Sequence, residues 1–66
     1  MIKKSRTNSE VKRFTQRIKN EYHFKPQIEF DLAIRRYVLR NSLTKDQMNI
    51  LTKASVEREE AKKNYD

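Results

Sequence analysis

The sequence contains no cysteine, no glycine and no tryptophan, and it has only one proline and one histidine. Without cysteine, neither a disulfide framework nor a thiolate metal site can supplement the core, which argues against a secreted mini-protein. Without glycine, the chain has neither a glycine-rich phosphate loop nor a strict type I′ hairpin turn. These absences favour helices joined by short turns in a protein of the reducing cytoplasm.

Long apolar runs are absent as well. The longest spans three residues, 37–39, whereas a membrane helix needs about 20 and a signal-peptide core about 7–15. We therefore expect a soluble, cytoplasmic protein that does not bind membranes. Catalytic groups are equally scarce, because His23 is the single histidine and has no thiol or glycine-shaped loop to act with. The sequence predicts no enzyme activity, no metal site and no cofactor.

The apolar content is small but allows a core. Leu, Ile, Val and Phe make up 15 of the 66 residues, or 23%, just above the roughly 20% below which composition argues for disorder. A chain of this length buries only about 60% of its unfolded surface when it folds. We expect a single domain with a thin stability margin.

Helix signals divide the chain into three segments. Thr7 with Glu10, and Thr44 with Gln47, have the spacing of capping boxes, and Pro26 suits the start of a helix between them. Apolar residues recur at helical spacing after each start. The sequence predicts an all-α fold, a compact three-helix domain over residues 7–66 with a fraying C-terminal end. The predicted helices span about residues 8–22, 26–41 and 45–63.

The middle segment leaves an alternative open. Residues 27–34 alternate polar and apolar side chains, the period-2 pattern of a half-buried strand, and such a strand would pair across a dimer. This arrangement resembles that of ribbon-helix-helix repressors, although their strand lies near the start of the domain.

As a helix, the same segment has two nearly opposite apolar faces. It therefore needs partners on both sides, either from its own chain or from a second copy in a homodimer. One face carries Ile28, Leu32 and Leu39. The other face, to which we assign partner binding, carries Phe30, Ile34, Tyr37 and Val38.

The net charge of +7 is concentrated at one end of the chain, where residues 1–25 hold eight Lys and Arg against two Glu. Residues 1–6 are predicted to form a flexible basic arm, and cations of the first helix lie opposite its apolar stripe. A small basic domain attracts polyanions, although such a charge also keeps a protein soluble. The predicted nucleic-acid-binding residues are Lys3, Lys4, Arg6, Lys12, Arg13, Gln16, Arg17, Lys19 and Asn20.

One segment of the first helix resembles a known module. Its residues are Asn8, Ser9, Glu10, Val11, Lys12, Arg13, Phe14, Ile18, Tyr22, His23 and Phe24. Over residues 8–24 the chain is similar to the opening of a small uncharacterised helical module found beside SAP DNA-binding domains. That module carries a tryptophan and a glycine-lysine-threonine turn further on, which this chain lacks. The resemblance implies an association with DNA-binding proteins and assigns no functional residue.

These observations predict a small basic, non-enzymatic DNA-binding regulator or accessory protein, of the phage, plasmid or mobile-element type. The cations of the arm would neutralise phosphates or enter a minor groove, and the polar residues of the first helix would face the duplex. A small helical adaptor or inhibitor that binds another protein is the alternative. RNA binding through the arginine-rich first helix is a third possibility.

Overall fold

The structure is a computed structural model that describes residues 3–64, with side chains described through residue 61. In chain order its elements are β1 (Lys4–Ser5), α1 (Asn8–Glu21), α2 (Gln27–Arg40), β2 (Asn41–Ser42) and α3 (Lys45–Asn64). The predicted all-α three-helix fold is confirmed, and every helix end lies within one residue of its predicted position. Since α2 is helical, the strand alternative for residues 27–34 is excluded.

Two parts of the predicted domain organisation lie outside the described residues. They are residues 1 and 2 of the predicted arm and residues 65 and 66 of the predicted domain. The helix α3 continues to Asn64, and the fraying of its end stays a prediction.

Capping boxes begin α1 and α3, as their sequences predict. The Thr7 hydroxyl accepts a hydrogen bond from the Glu10 amide at 3.2 Å, and the Glu10 carboxylate accepts one from the Thr7 amide at 3.2 Å. Thr44 and Gln47 make the same reciprocal pair, at 3.2 and 2.9 Å. Each box satisfies two of the amides that the first turn of a helix leaves without an intrahelical partner.

The helix α2 is set between two extended residues. Pro26 is its N-cap, with φ −63° and ψ 154°, so the helix begins at Gln27, one residue later than predicted. Asn41 follows the last turn with φ −127° and ψ 150°, so the chain passes directly from α2 into β2.

The core lies where the three helices meet. Phe30 of α2 is fully buried and forms a cluster with Ile18 of α1 and Ala54 of α3. Val11 and Leu51 are buried as well. Burying a side chain of the Val, Leu or Phe class contributes about 1.5–3 kcal/mol, so these few residues supply most of the apolar stabilisation that the chain can obtain.

The buried stripe of α3 has an apolar middle and polar ends. Gln47, Leu51, Ala54 and Arg58 follow one another at helical spacing; Gln47 is 3% exposed and Arg58 is half-buried. The Arg58 guanidinium donates to the carbonyl of Tyr22 at 2.6 Å, and further bonds reach the Lys25 carbonyl and the Gln27 side chain. Arg58 therefore joins the turn between α1 and α2 to α3.

The predicted arm is partly attached to this body. Lys4 and Ser5 pair in parallel with Asn41 and Ser42, and the Gln47 side-chain amide donates to the Arg6 carbonyl at 2.5 Å. Because a buried amide group needs acceptors, Gln47 fixes the main chain that precedes α1. Residues 4–6 thus differ from the free basic arm that the sequence predicts.

The two apolar faces of α2 have different environments. The face assigned to partner binding packs against α1 and α3, and Phe30 is fully buried there, so the prediction that Phe30 binds a partner is wrong. On the opposite face the exposed fractions are 68% for Ile28, 43% for Leu32 and 65% for Leu39. The described chain therefore covers only one of the two faces.

These burial differences predict unequal effects of truncation. Phe30→Ala should cost about 3–5 kcal/mol, because it removes a fully buried ring and leaves a cavity, and Leu51→Ala about 2–5 kcal/mol. The exposed Leu32 serves as the control, and Leu32→Ala should leave the free energy of unfolding of the isolated chain nearly unchanged. Urea denaturation followed by circular dichroism measures all three, and a loss for Leu32→Ala equal to that for Phe30→Ala would contradict this core.

Candidate nucleic-acid interface

A groove of about 520 Å³ runs between α1 and α2 and reaches β1 and β2. Side chains from three separate parts of the chain meet around it. The charged ones are five cations and a single carboxylate: Lys4, Arg6, Arg17, Arg36, Arg40 and Glu21. This cluster of positive charge is therefore a product of the fold, since no single segment of the sequence contains all five cations.

An aromatic pair forms part of the groove wall. The rings of Phe14 and Tyr37 stack with their centroids 3.8 Å apart and their planes 10° from parallel. Burial raises the pKa of the Tyr37 hydroxyl above its ordinary value. The stack holds α1 against α2 and so fixes the distance between the cations on its two sides.

Arg6 is bound to the protein itself. Its Nε donates to Asn41 Oδ1 at 2.6 Å, its Nη1 lies 3.0 Å from Glu10 Oε2, and its guanidinium carbon lies 6.0 Å from the centre of the Tyr37 ring. Asn41 is itself buried and donates to the Tyr37 carbonyl at 2.8 Å. The prediction that Arg6 belongs to a free arm is thus wrong: Arg6 contributes charge to the groove wall from a fixed position.

The same contacts set the ionisation of Glu10. The hydrogen bond from Arg6, followed by that from the Thr7 amide, lowers the pKa of the Glu10 carboxyl below its ordinary value. A carboxylate that stays ionised neutralises part of the charge of Arg6. The remaining groove cations therefore carry the net positive potential.

The outer face of α1 presents a separate polar stripe. Arg13, Gln16 and Asn20 follow at i, i+3 and i+7 and are all exposed. Arg17 lies between this stripe and the groove, and its Nε is 3.6 Å from Glu21 Oε1. Because both partners of that ion pair are exposed, it holds Arg17 only weakly.

Two predicted cations of α1 lie elsewhere. Lys19 is half-buried toward α3, where its Nζ lies 3.7 Å from Glu57 Oε2, and it does not line the groove, so its nucleic-acid role stays a prediction. Lys12 is exposed at the α3 side of the helix and does not line the groove. Lys3 is exposed before β1. Of the nine predicted residues, the groove includes Lys4, Arg6 and Arg17.

Sequence reasoning missed Arg36 and Arg40 as site residues. The two lie one turn apart on α2 and are both exposed at the groove. Their i, i+4 spacing places them on one edge of the helix, a signal that the sequence contains. Which neighbour that edge faces depends on how α1 packs on α2, and spacing alone does not give this.

The described residues hold no group of three or more His, Cys, Asp or Glu side chains arranged for a metal ion. His23 is exposed and makes an edge contact with Phe24, at 4.7 Å between ring centres. Over residues 3–64, none of the helices combines the length and the apolar character that crossing a membrane requires.

The chain matches no protein-family profile, no curated protein and no solved structure. The resemblance of residues 8–24 to the module found beside SAP domains therefore stays a prediction.

The lowered pKa of Glu10 predicts a pH-dependent contribution to stability. This contribution is present above the ordinary carboxyl pKa of about 4.3 and is lost as the pH falls through the lowered value in the folded protein. The variant Glu10→Gln keeps an oxygen that can accept from the Thr7 amide but has no charge for Arg6. Its melting temperature should lie below that of the parent at pH 7, and the two should converge near pH 2. If the melting temperatures of the parent and Glu10→Gln differ by the same amount at pH 7 and pH 2, the loss of stability comes from the helix cap and not from the charge of Glu10.

Proposed function

We propose that the protein is a small, non-enzymatic DNA-binding regulator or accessory protein that acts in the cytoplasm, of the type used by phages, plasmids and other mobile elements. The observation that carries this proposal is the groove between α1 and α2, where cations from three parts of the chain surround one carboxylate. Exposed Lys and Arg side chains bind DNA by neutralising phosphates and releasing counterions.

The geometry suggests different roles for the groove and the outer stripe of α1. In the groove, Lys4, Arg17 and the two arginines of α2 would contact phosphates and set the orientation of the protein. On the stripe, Arg13, Gln16 and Asn20 have the side chains that read base edges, since Arg pairs with guanine and Asn or Gln with adenine. The helix α1 has 14 residues, about 21 Å at 1.5 Å per residue, and the diameter of an α-helix with its side chains, about 10–12 Å, fits a major groove about 12 Å wide.

The distribution of acidic residues favours the same side of the protein. The exposed carboxylates of α3 do not line the groove. They are Asp46, Glu57, Glu59 and Glu60. In α3 five Lys and Arg residues stand against these four carboxylates, so α3 adds little net charge, and a polyanion would be attracted more strongly to α1 and the residues before it.

The salt dependence of binding tests this proposal. For duplex DNA, log affinity falls with log salt by about 0.9 for each phosphate neutralised. Arg13→Ala combined with Arg17→Ala should therefore reduce the slope by about 0.9 through the loss of the Arg17 phosphate contact, and by up to about 2 where Arg13 also lies against a phosphate. Both side chains are exposed, so circular dichroism should show an unchanged fold. Fluorescence anisotropy at salt concentrations from about 50 to 200 mM gives the slopes.

The matched control is Lys45→Ala combined with Lys53→Ala. Both lysines are exposed on α3, and this variant loses the same two charges away from the groove. Its slope should stay close to that of the parent. Equal slopes for all three proteins would refute a DNA interface on α1, and stronger binding to duplex RNA of the same length would replace DNA by RNA as the ligand.

An adaptor or inhibitor of another protein is the second candidate, and a specific observation favours it. A groove of about 350 Å³ between α2 and α3 is lined mainly by apolar side chains, among them Val38, Leu51 and Val56. Ile34 and Val38, from the predicted partner-binding set, line this groove and remain only partly buried. If the α1 variant has the same salt dependence of DNA binding as the parent, the adaptor or inhibitor function becomes the favoured one.

A further inference from the structure

The uncovered face of α2 has the spacing of a helix-pairing seam. Ile28, Leu32, Arg35 and Leu39 follow at i, i+4, i+7 and i+11, and all four are exposed. This alternation of four and three residues keeps side chains on one line along a helix that packs lengthwise against another helix. An exposed line of three large aliphatic side chains in so small a domain calls for a covering partner.

The charges beside this seam are separated along the helix. The first half of α2 carries Glu29 and Asp31, and the second half carries Arg35, Arg36 and Arg40. Within the described residues, Glu29 and the three arginines make no ion pair in their own chain. A surface that is acidic at one end and basic at the other is complementary to itself when it is turned end to end.

We propose that the partner is a second copy of the chain, and that two α2 helices pair antiparallel through this seam. A two-fold axis near the middle of the seam brings Ile28 level with the partner's Leu39 and Leu32 level with the partner's Arg35. In an isologous contact of this kind every interaction occurs twice.

The charge pattern selects the antiparallel direction. A two-fold axis perpendicular to the paired helices brings the same edge of both together. On one edge, Glu29 then lies level with residue 38 of the partner, between the partner's Arg36 and the partner's Arg40. On the other edge, Asp31 approaches the partner's Arg35. A parallel pair would instead set the acidic half of one helix level with the acidic half of the other, and the basic half level with the basic half, which is unfavourable.

The same axis determines where the basic grooves lie. Arg36 and Arg40 line the groove and also border the seam, so the edge that pairs with the partner's Glu29 is the edge beside the groove. Because the axis brings this edge of both copies to one side, both grooves lie on the same face of the pair. The pairing itself depends only on α2 and holds whether or not the groove binds DNA.

Light scattering measures the pairing directly. The parent should have twice the chain mass of 8.0 kDa at micromolar concentration, and Leu32→Lys should have the single mass with the same helical content. Phe24→Lys is the matched control, since Phe24 is 95% exposed in the turn between α1 and α2 and lies outside the seam, and it should keep the double mass. A parent that stays at the single mass up to millimolar concentration would overturn the proposal and leave the seam to a different protein.

Charge reversal and cross-linking test the direction. Glu29→Lys should shift the protein toward the single mass, and adding Arg36→Glu and Arg40→Glu in the same chain should restore the double mass. Because the chain has no cysteine, Ile28→Cys and Leu39→Cys can be mixed and oxidised without background. The antiparallel pair gives the mixed disulfide, whereas disulfides of Ile28→Cys with itself would refute this arrangement.

Discussion

The fold depends on α3, because it packs against both α1 and α2 and no cysteine is present to hold them together. Its buried stripe combines apolar packing in the middle with hydrogen bonding at both ends. Leu51 and Ala54 complete the core, while Arg58 satisfies carbonyls at the C-terminal end of α1 and stacks 5.0 Å from the centre of the Phe30 ring. At the other end, the Gln47 side-chain amide donates a hydrogen bond to the Arg6 carbonyl, in the segment before α1. A hydrogen bond from a charged group such as the Arg58 guanidinium contributes about 1.5–3 kcal/mol, comparable to burying a core side chain, and one from the neutral Gln47 amide about 0.5–1.5 kcal/mol. The two polar ends therefore supplement the small core.

The sequence predicted the features that depend on residues close together in the chain. The helix starts followed from capping boxes, in which four consecutive residues hold both donor and acceptor, and the turn between α1 and α2 followed from Pro26. The burial of Gln47 and Arg58 was not visible, since each residue is polar and its acceptors lie 31–41 positions away in the chain. The sequence shows that α2 has two apolar faces, but it does not show which of them is buried. The structure shows that the face with Phe30 is buried, because Phe30 packs between α1 and α3.

The candidate site was likewise predicted only in its local features. The composition showed the excess charge near the N-terminus, and helical spacing showed the polar stripe of Arg13, Gln16 and Asn20. The groove was not, because it needs Arg17 of α1 to face Arg36 and Arg40 of α2 across the stacked aromatic pair. Composition also could not show that Arg6 is held by Asn41 and Glu10. A count of cations therefore predicts a class of ligand, and helix packing shows which cations lie together.

Charge links the proposed pairing to the proposed ligand. Each copy carries a net charge of +7, so two copies repel each other at distances up to the Debye length of about 8 Å at physiological ionic strength. The apolar seam and the contacts of Glu29 with the partner's arginines must outweigh this repulsion. A polyanion bound along the shared face neutralises the grooves of both copies at once and thereby removes part of the repulsion. By linkage, pairing then strengthens DNA binding by the same factor by which DNA strengthens pairing. In the proposed pair the two basic grooves would thus act as one site for the proposed ligand.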